Sequence, residues 1–72
     1  LARMTISKDA AFVNKTVGDV ENRYNINVVL LRHGNESHMP PKDKSPLQAG
    51  DVIAVLGGPD QLNEILHNNE RR

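Results

Sequence analysis

Seventy-two residues without a cysteine bound the problem tightly: one small domain, with no disulfide framework, thiolate metal site or thiol nucleophile. Nine basic and nine acidic residues cancel, and Phe12 and Tyr24 are the only aromatics, which argues against nucleic acid or an anionic membrane surface as a main partner. No apolar run approaches the roughly 18 residues of a membrane span, and nothing at the amino end resembles a signal peptide, so direct membrane insertion is not expected.

The chain opens on Leu1-Ala2-Arg3 without an initiator Met, and is expected to be a piece of a longer protein. Leu1 to Ser7 alternates, with Ala2, Met4 and Ile6 on one side, and predicts a half-buried strand. Residues 8–16 carry no period, although Phe12 and Val13 are placed to pack on the core. Thr16 is the expected N-cap of a first helix, with Asp19 at N3 completing a capping box. Val17, Val20 and Tyr24 share its buried face, and Asn25 is a left-handed terminator. Gly18 inside this helix costs about 1 kcal/mol against alanine, which implies that something packs closely against it.

Ile26 to Arg32 predicts a strand that is apolar on both sides: Ile26, Val28 and Leu30 on one, Asn27, Val29 and Leu31 on the other. His33-Gly34-Asn35-Glu36 is a turn that reverses the chain into a short strand through Ser37, His38 and Met39, which Pro40-Pro41 ends. Lys42 to Pro46 is a charged loop. Val52 to Leu56 is an uninterrupted apolar run and therefore the central strand. Gly57-Gly58-Pro59 stops it, with Pro59 at the first position of a last helix whose Leu62, Ile65 and Leu66 fall on one face. The tail from Asn68 to Arg72 is expected to fray.

The order is β-α-β-β-β-α, an α+β fold: a small mixed or antiparallel sheet of about four strands with two helices on one face. Two short helices cannot cover both sides of such a sheet. Its second face is therefore expected to meet another subunit or an adjacent domain of the parent protein.

Several residues in this pattern have both a chemical and an ordinary reading. His33, His38 and His67 have no ligand pair at i, i+4 and read as exposed polar residues, with no metal assigned. Asp9, Glu21, Glu36 and Asp43 lack the spacing of a calcium-binding loop. Asp51 follows Gly50 in a turn and is placed to satisfy turn N–H groups. Arg32, at the end of a buried strand, is suited to a phosphate, to a carboxylate partner or to snorkelling into water. Ser7, Thr16 and Ser45 have no activating histidine, and no convergent set of titratable groups marks an enzyme.

The chain resembles the RCK-C or TrkA-C domain, the carboxy-terminal lobe of regulators of potassium conductance. The resemblance is carried by Val13-x-Lys15-Thr16-Val17, by Tyr24-x-Ile26-x-Val28-Val29-x-Leu31-Arg32 with the turn HGNE behind it, by Pro40, and by Leu47-x-x-Gly50-Asp51-Val52-x-x-Val55-x-Gly57. These cover nearly the whole chain, 1–72. The resemblance implies a non-enzymatic, cytoplasmic, ligand-sensing lobe of a potassium channel or transporter that homodimerises. NAD or ATP would belong to a separate Rossmann lobe beside it, since no GxGxxG is present here. Some relatives bind cyclic di-AMP between two such lobes, which points by resemblance to Val28, Val29, Arg32, Asn35 and Pro40 as ligand contacts. The alternatives are a ligand-free dimerisation module of a cation transport protein and a calcium-sensing lobe.

Overall fold

The structure, a computed structural model, describes residues 1–70. Its elements are β1 (Ala2–Thr5), α1 (Val17–Tyr24), β2 (Asn27–His33), β3 (Glu36–His38), β4 (Val52–Leu56) and α2 (Pro59–Asn69). The four strands form one sheet in the order β1-β4-β2-β3, antiparallel throughout. The apolar run at Val52–Leu56 thus becomes an interior strand flanked by β1 and β2, as its lack of alternation requires.

Both helices lie on one side of the sheet. Val17, Val20 and Tyr24 of α1 and Ile65 of α2 close over Met4, Val28, Leu31, Ile53 and Val55 in a single apolar cluster. Ile53, Val55, Leu47 and Ile65 are completely buried there. Phe12 drops into the same core from the irregular 8–16 segment and meets Tyr24 edge to face, with ring centroids 6.1 Å apart.

The start of α1 is set by reciprocal bonds. Thr16 Oγ1 accepts from the Asp19 N–H and Asp19 Oδ2 accepts from the Thr16 N–H, both at 3.1 Å. The helix's next unpaired N–H groups are taken by the 42–46 loop: Val17 donates to the Ser45 carbonyl and Gly18 to that of Asp43, at 2.9 and 2.8 Å. A Cβ on Gly18 would stand 3.3 Å from the Asp43 carbonyl oxygen, so the close approach inferred from the glycine is the docking of this loop. Asn25 ends the helix at φ 56°, ψ 51°, in the left-handed region.

Two expectations are corrected. In α2 the core-facing stripe runs through half-buried Leu62 and buried Ile65 and Asn69, whereas Leu66 is 37% exposed. The tail does not fray at Asn68 and Asn69. Asn69 Oδ1 accepts the Ser7 N–H and its Nδ2 donates to the Thr5 carbonyl, both at 2.9 Å. Asn68 Nδ2 donates to the Tyr24 hydroxyl at 2.7 Å. The helix end is therefore clamped to the end of β1 and to α1; Arg71 and Arg72 lie outside the described residues.

Candidate functional site

Strict alternation along β2 would put Val28, Leu30 and Arg32 on one face. The structure interrupts it: Val28 pairs with Val55 and Leu30 with Ala54, so β2 uses two steps where β4 uses one. A bulge of this kind adds a residue to one strand and re-aims the side chains beyond it. Its trace is the burial pattern, in which Val28 and Leu31 are buried and Val29 and Leu30 between them are half-buried. Beyond the bulge, Leu31 and His33 turn to the helix side, and Leu30 and Arg32 to the outer side.

The phase shift decides where the candidate residues go. Val28 is 3% exposed and part of the core, so it is separated from the others; its backbone N–H donates to Glu21 Oε2 at 2.9 Å. Val29 sits in the bulge, and Arg32 is exposed on the outer face opposite Val52. Asn35 is exposed in the two-residue turn that joins β2 to β3, where the positive φ falls on Gly34 at 59° and not on Asn35. The Arg32–Ser37 and Leu31–His38 pairs run β3 back alongside β2, and the chain continues through Pro40, exposed and joined to Met39 by a cis peptide, in the direction of Val29. Val29, Arg32, Asn35 and Pro40 are thus strung along the β2–β3 hairpin, with Pro40 returning toward Val29 and Asn35 at the far tip, while Val28 is turned into the core.

The outer face that carries Arg32 has a consistent chemistry. Leu30 and Val52, half-buried, Ala54, buried, and Leu56, 44% exposed, form an apolar floor. No carboxylate joins them: Glu36 is the one acidic residue in a strand, and it pairs with His33 on the helix side. Among the described residues the ion pairs are Arg23–Glu64 and His33–Asp51, so Arg32 has no carboxylate partner. Of the readings open for this side chain, snorkelling and anion binding remain.

The hairpin that presents Arg32 and Asn35 is anchored from the helix side by a contact that periodicity did not reveal. His33 Nδ1 donates to Asp51 Oδ1 at 2.5 Å, and the other Asp51 oxygen accepts the Gln48 N–H at 3.1 Å. Asp51 is 3% exposed, and both of its oxygens are occupied. It holds its own turn, as its position after Gly50 suggested, and also fixes the end of β2. The sequence signal was the Asp51 turn alone; the partner 18 residues away was invisible without the register.

Depressions on the helix side are built largely from groups already engaged, with Lys15, Glu36 and His38 at their borders. One of about 450 Å³ is lined by Phe12, Lys15, Asp19, Arg23, Tyr24 and Asn68. Asp19 is committed to the helix cap, whose bonds from the Thr16 N–H and hydroxyl hold its carboxyl below the usual carboxylate range. Arg23 pairs with Glu64 at 3.4 Å and lies 4.8 Å over the Tyr24 ring, and Asn68 is bonded to Tyr24. Another, of about 300 Å³, is bordered by His33, Glu36, His38 and Asp51. Among the described residues no three of His, Cys, Asp or Glu gather as a metal site. No described helix is long and apolar enough to cross a membrane.

Residues 1–68 match the TrkA-C domain, and the chain belongs to that family. It is similar to the RCK_C domain dimer of S. agalactiae BusR in complex with c-di-AMP, with a TM-score of 0.83 at 20% identity over 99% of this chain and 90% of that one. The RCK C domain of the potassium transport protein KtrA in complex with c-di-AMP gives 0.71 at 20% identity, over 88% of this chain and 74% of that one. S. agalactiae BusR bound to its busAB-promotor DNA gives 0.83 at 20% identity; 99% of this chain is covered, but it spans only 36% of that longer chain. At such identities the likeness is one of fold. No curated protein matches the chain.

Proposed function

We propose that this chain is a non-enzymatic regulatory lobe that pairs with a second copy and binds cyclic di-AMP at the edge of the outer sheet face. The observation that carries the reading is the β2 bulge, which delivers Arg32, without a carboxylate partner among the described residues, onto an apolar face free of strand carboxylates beside the Gly34-Asn35 turn. The RCK_C domains of BusR and KtrA, of the same fold, are both found with this ligand.

In this reading Val29 and Pro40 flank an adenine, Arg32 supplies a fork of donors to a phosphate, and Asn35 donates and accepts along a base edge. Val28 acts only by supporting the strand from the core. A single lobe offers an open wall there rather than a cleft, so the opposite wall is a second copy of the chain, consistent with the apolar floor of Leu30, Val52, Ala54 and Leu56 and with the dimer described for BusR. Binding across two lobes biases their relative geometry by the difference in affinity between two arrangements, and that difference is the signal the lobe can transmit.

The parent is proposed to be a cytoplasmic regulator of a potassium channel or transporter, with any NAD or ATP held by a separate Rossmann lobe; KtrA supports this direction. BusR binds promoter DNA through a chain about three times longer than the matching part, and the zero net charge here argues against DNA as a partner of this lobe itself. A ligand-free dimerisation module is the second reading, favoured by the same apolar floor. Titration calorimetry with cyclic di-AMP, using AMP and calcium as controls, separates the two. The expected result is binding by the natural chain and loss of binding in Arg32→Ala with self-association retained; a dimer indifferent to all three compounds establishes the second reading.

A further inference from the structure

The outer face holds a second cation. Arg3 pairs across β1 and β4 with Ala54, the residue that Leu30 faces from the other side, so it shares the face of Arg32 with Val52 and Ala54 between them. Two strand spacings across and two residues along, the Arg3 and Arg32 backbones are about 12 Å apart. Arg3 is exposed, and among the described residues it too has no carboxylate partner. In a chain of nine acidic and nine basic residues, two arginines on an acid-free apolar floor are a marked separation of charge.

That separation conflicts with simple burial of the face. Two copies packed floor to floor would bring four guanidinium groups together with no carboxylate on either side, and a buried charge is tolerated only when paired. Phosphate is the anion whose oxygens match the guanidinium fork. A ligand with two phosphates joined through apolar-faced rings fits both the cations and the floor between them.

We infer that Arg3 is a second phosphate-binding residue, acting with Arg32 on a ligand of the dinucleotide class. This rests on the ligand reading above and extends the site from the β2–β3 end across β4 to β1. A monophosphate such as AMP engages one arginine at a time, so the arrangement also discriminates by the number of phosphates.

The test is titration calorimetry on the natural chain and on Arg3→Ala, Arg3→Lys and Arg23→Ala, each against cyclic di-AMP and, separately, against tripolyphosphate. Arg3→Ala is expected to weaken cyclic di-AMP binding about ten- to a hundredfold, the scale of a lost charge-assisted bond. Arg3→Lys recovers only part of it, because an ammonium lacks the planar fork. Arg23→Ala, which alters the helix side, leaves the affinity unchanged. Arg3 is solvent-exposed and has no ion-pair partner among the described residues, so the thermal midpoint of Arg3→Ala stays with that of the natural chain and reports that the variant is folded. Cyclic di-AMP affinity in Arg3→Ala within twofold of the natural chain overturns the inference. If the natural chain ignores cyclic di-AMP altogether, the ligand reading falls, and tripolyphosphate decides for Arg3: binding lost in Arg3→Ala upholds it, while equal binding or none overturns it.

Discussion

The two faces of the central strand are made from alternate residues of the same five, yet they follow different rules. Ile53 and Val55 on the helix side are completely buried, whereas on the outer side exposure grades from buried Ala54 (7%) through half-buried Val52 to Leu56 at 44%. On the helix side polar groups are spent on structure: Asp51 on His33 and Gln48, Asn69 on Thr5 and Ser7, Glu21 on Val28. On the outer side Arg3 and Arg32 have no ion-pair partner among the described residues. One face is finished within the chain; the other is the one proposed to meet a ligand and a second copy.

The sharpest way to break this comparison is to substitute each face in turn and follow stability and self-association separately. Ile53→Ala on the closed face removes a fully buried side chain and is expected to cost about 2–5 kcal/mol, comparable with everything a core of this size supplies, so urea denaturation should find the variant largely unfolded. Leu30→Asp on the open face should leave the folded monomer near natural stability yet abolish self-association in sedimentation velocity, because it puts a charge on the floor proposed to meet the second copy. Equal stability losses for the two would remove the distinction between the faces.

Smaller effects sharpen it. Asn69→Leu keeps bulk at the end of α2 but strands the Ser7 N–H and the Thr5 carbonyl, at an expected cost of about 1–3 kcal/mol by denaturant titration. Thr16→Ala removes the cap of α1 at about 1 kcal/mol. The same cap has a pH signature. The Asp19 carboxyl lies below its ordinary value in the folded state, so its contribution is present above the unfolded-state value and is lost as pH falls through the lowered folded one. Asp19→Ala should therefore differ from the natural chain at neutral pH and converge with it in strong acid, a difference that denaturant titrations at the two pH values will read.

How much of this was legible beforehand follows from the range of each interaction. Local devices were: the Thr16–Asp19 capping box, the Asn25 terminator, Pro59 at the helix start and the unbroken apolar run of β4 all act within a few residues. The close contact at Gly18 was inferred from the missing side chain, though not its source in the Asp43 carbonyl. The Val29 bulge was not legible, because it arises from pairing between strands far apart in sequence, and a run apolar on both faces gives alternation nothing to contradict. That single missed step is why Val28 and Leu30 were placed on one side of β2, and why Arg3 was not associated with Arg32. Asn69 was missed for a related reason: an asparagine near a chain end looks like solvent-facing tail until the end of β1 presents the Thr5 carbonyl, and Ser7 just beyond it a free N–H.

The central claim is that the open face is completed by an anionic ligand, and thermal unfolding of the natural chain beside Arg32→Ala, with and without cyclic di-AMP, tests it most directly. Ligand at 100 times its dissociation constant stabilises by about 2.7 kcal/mol, which for a domain this small is a rise of several degrees. The account predicts that rise in the natural chain and none in Arg32→Ala. No rise in the natural chain, or the same rise in both, would contradict it.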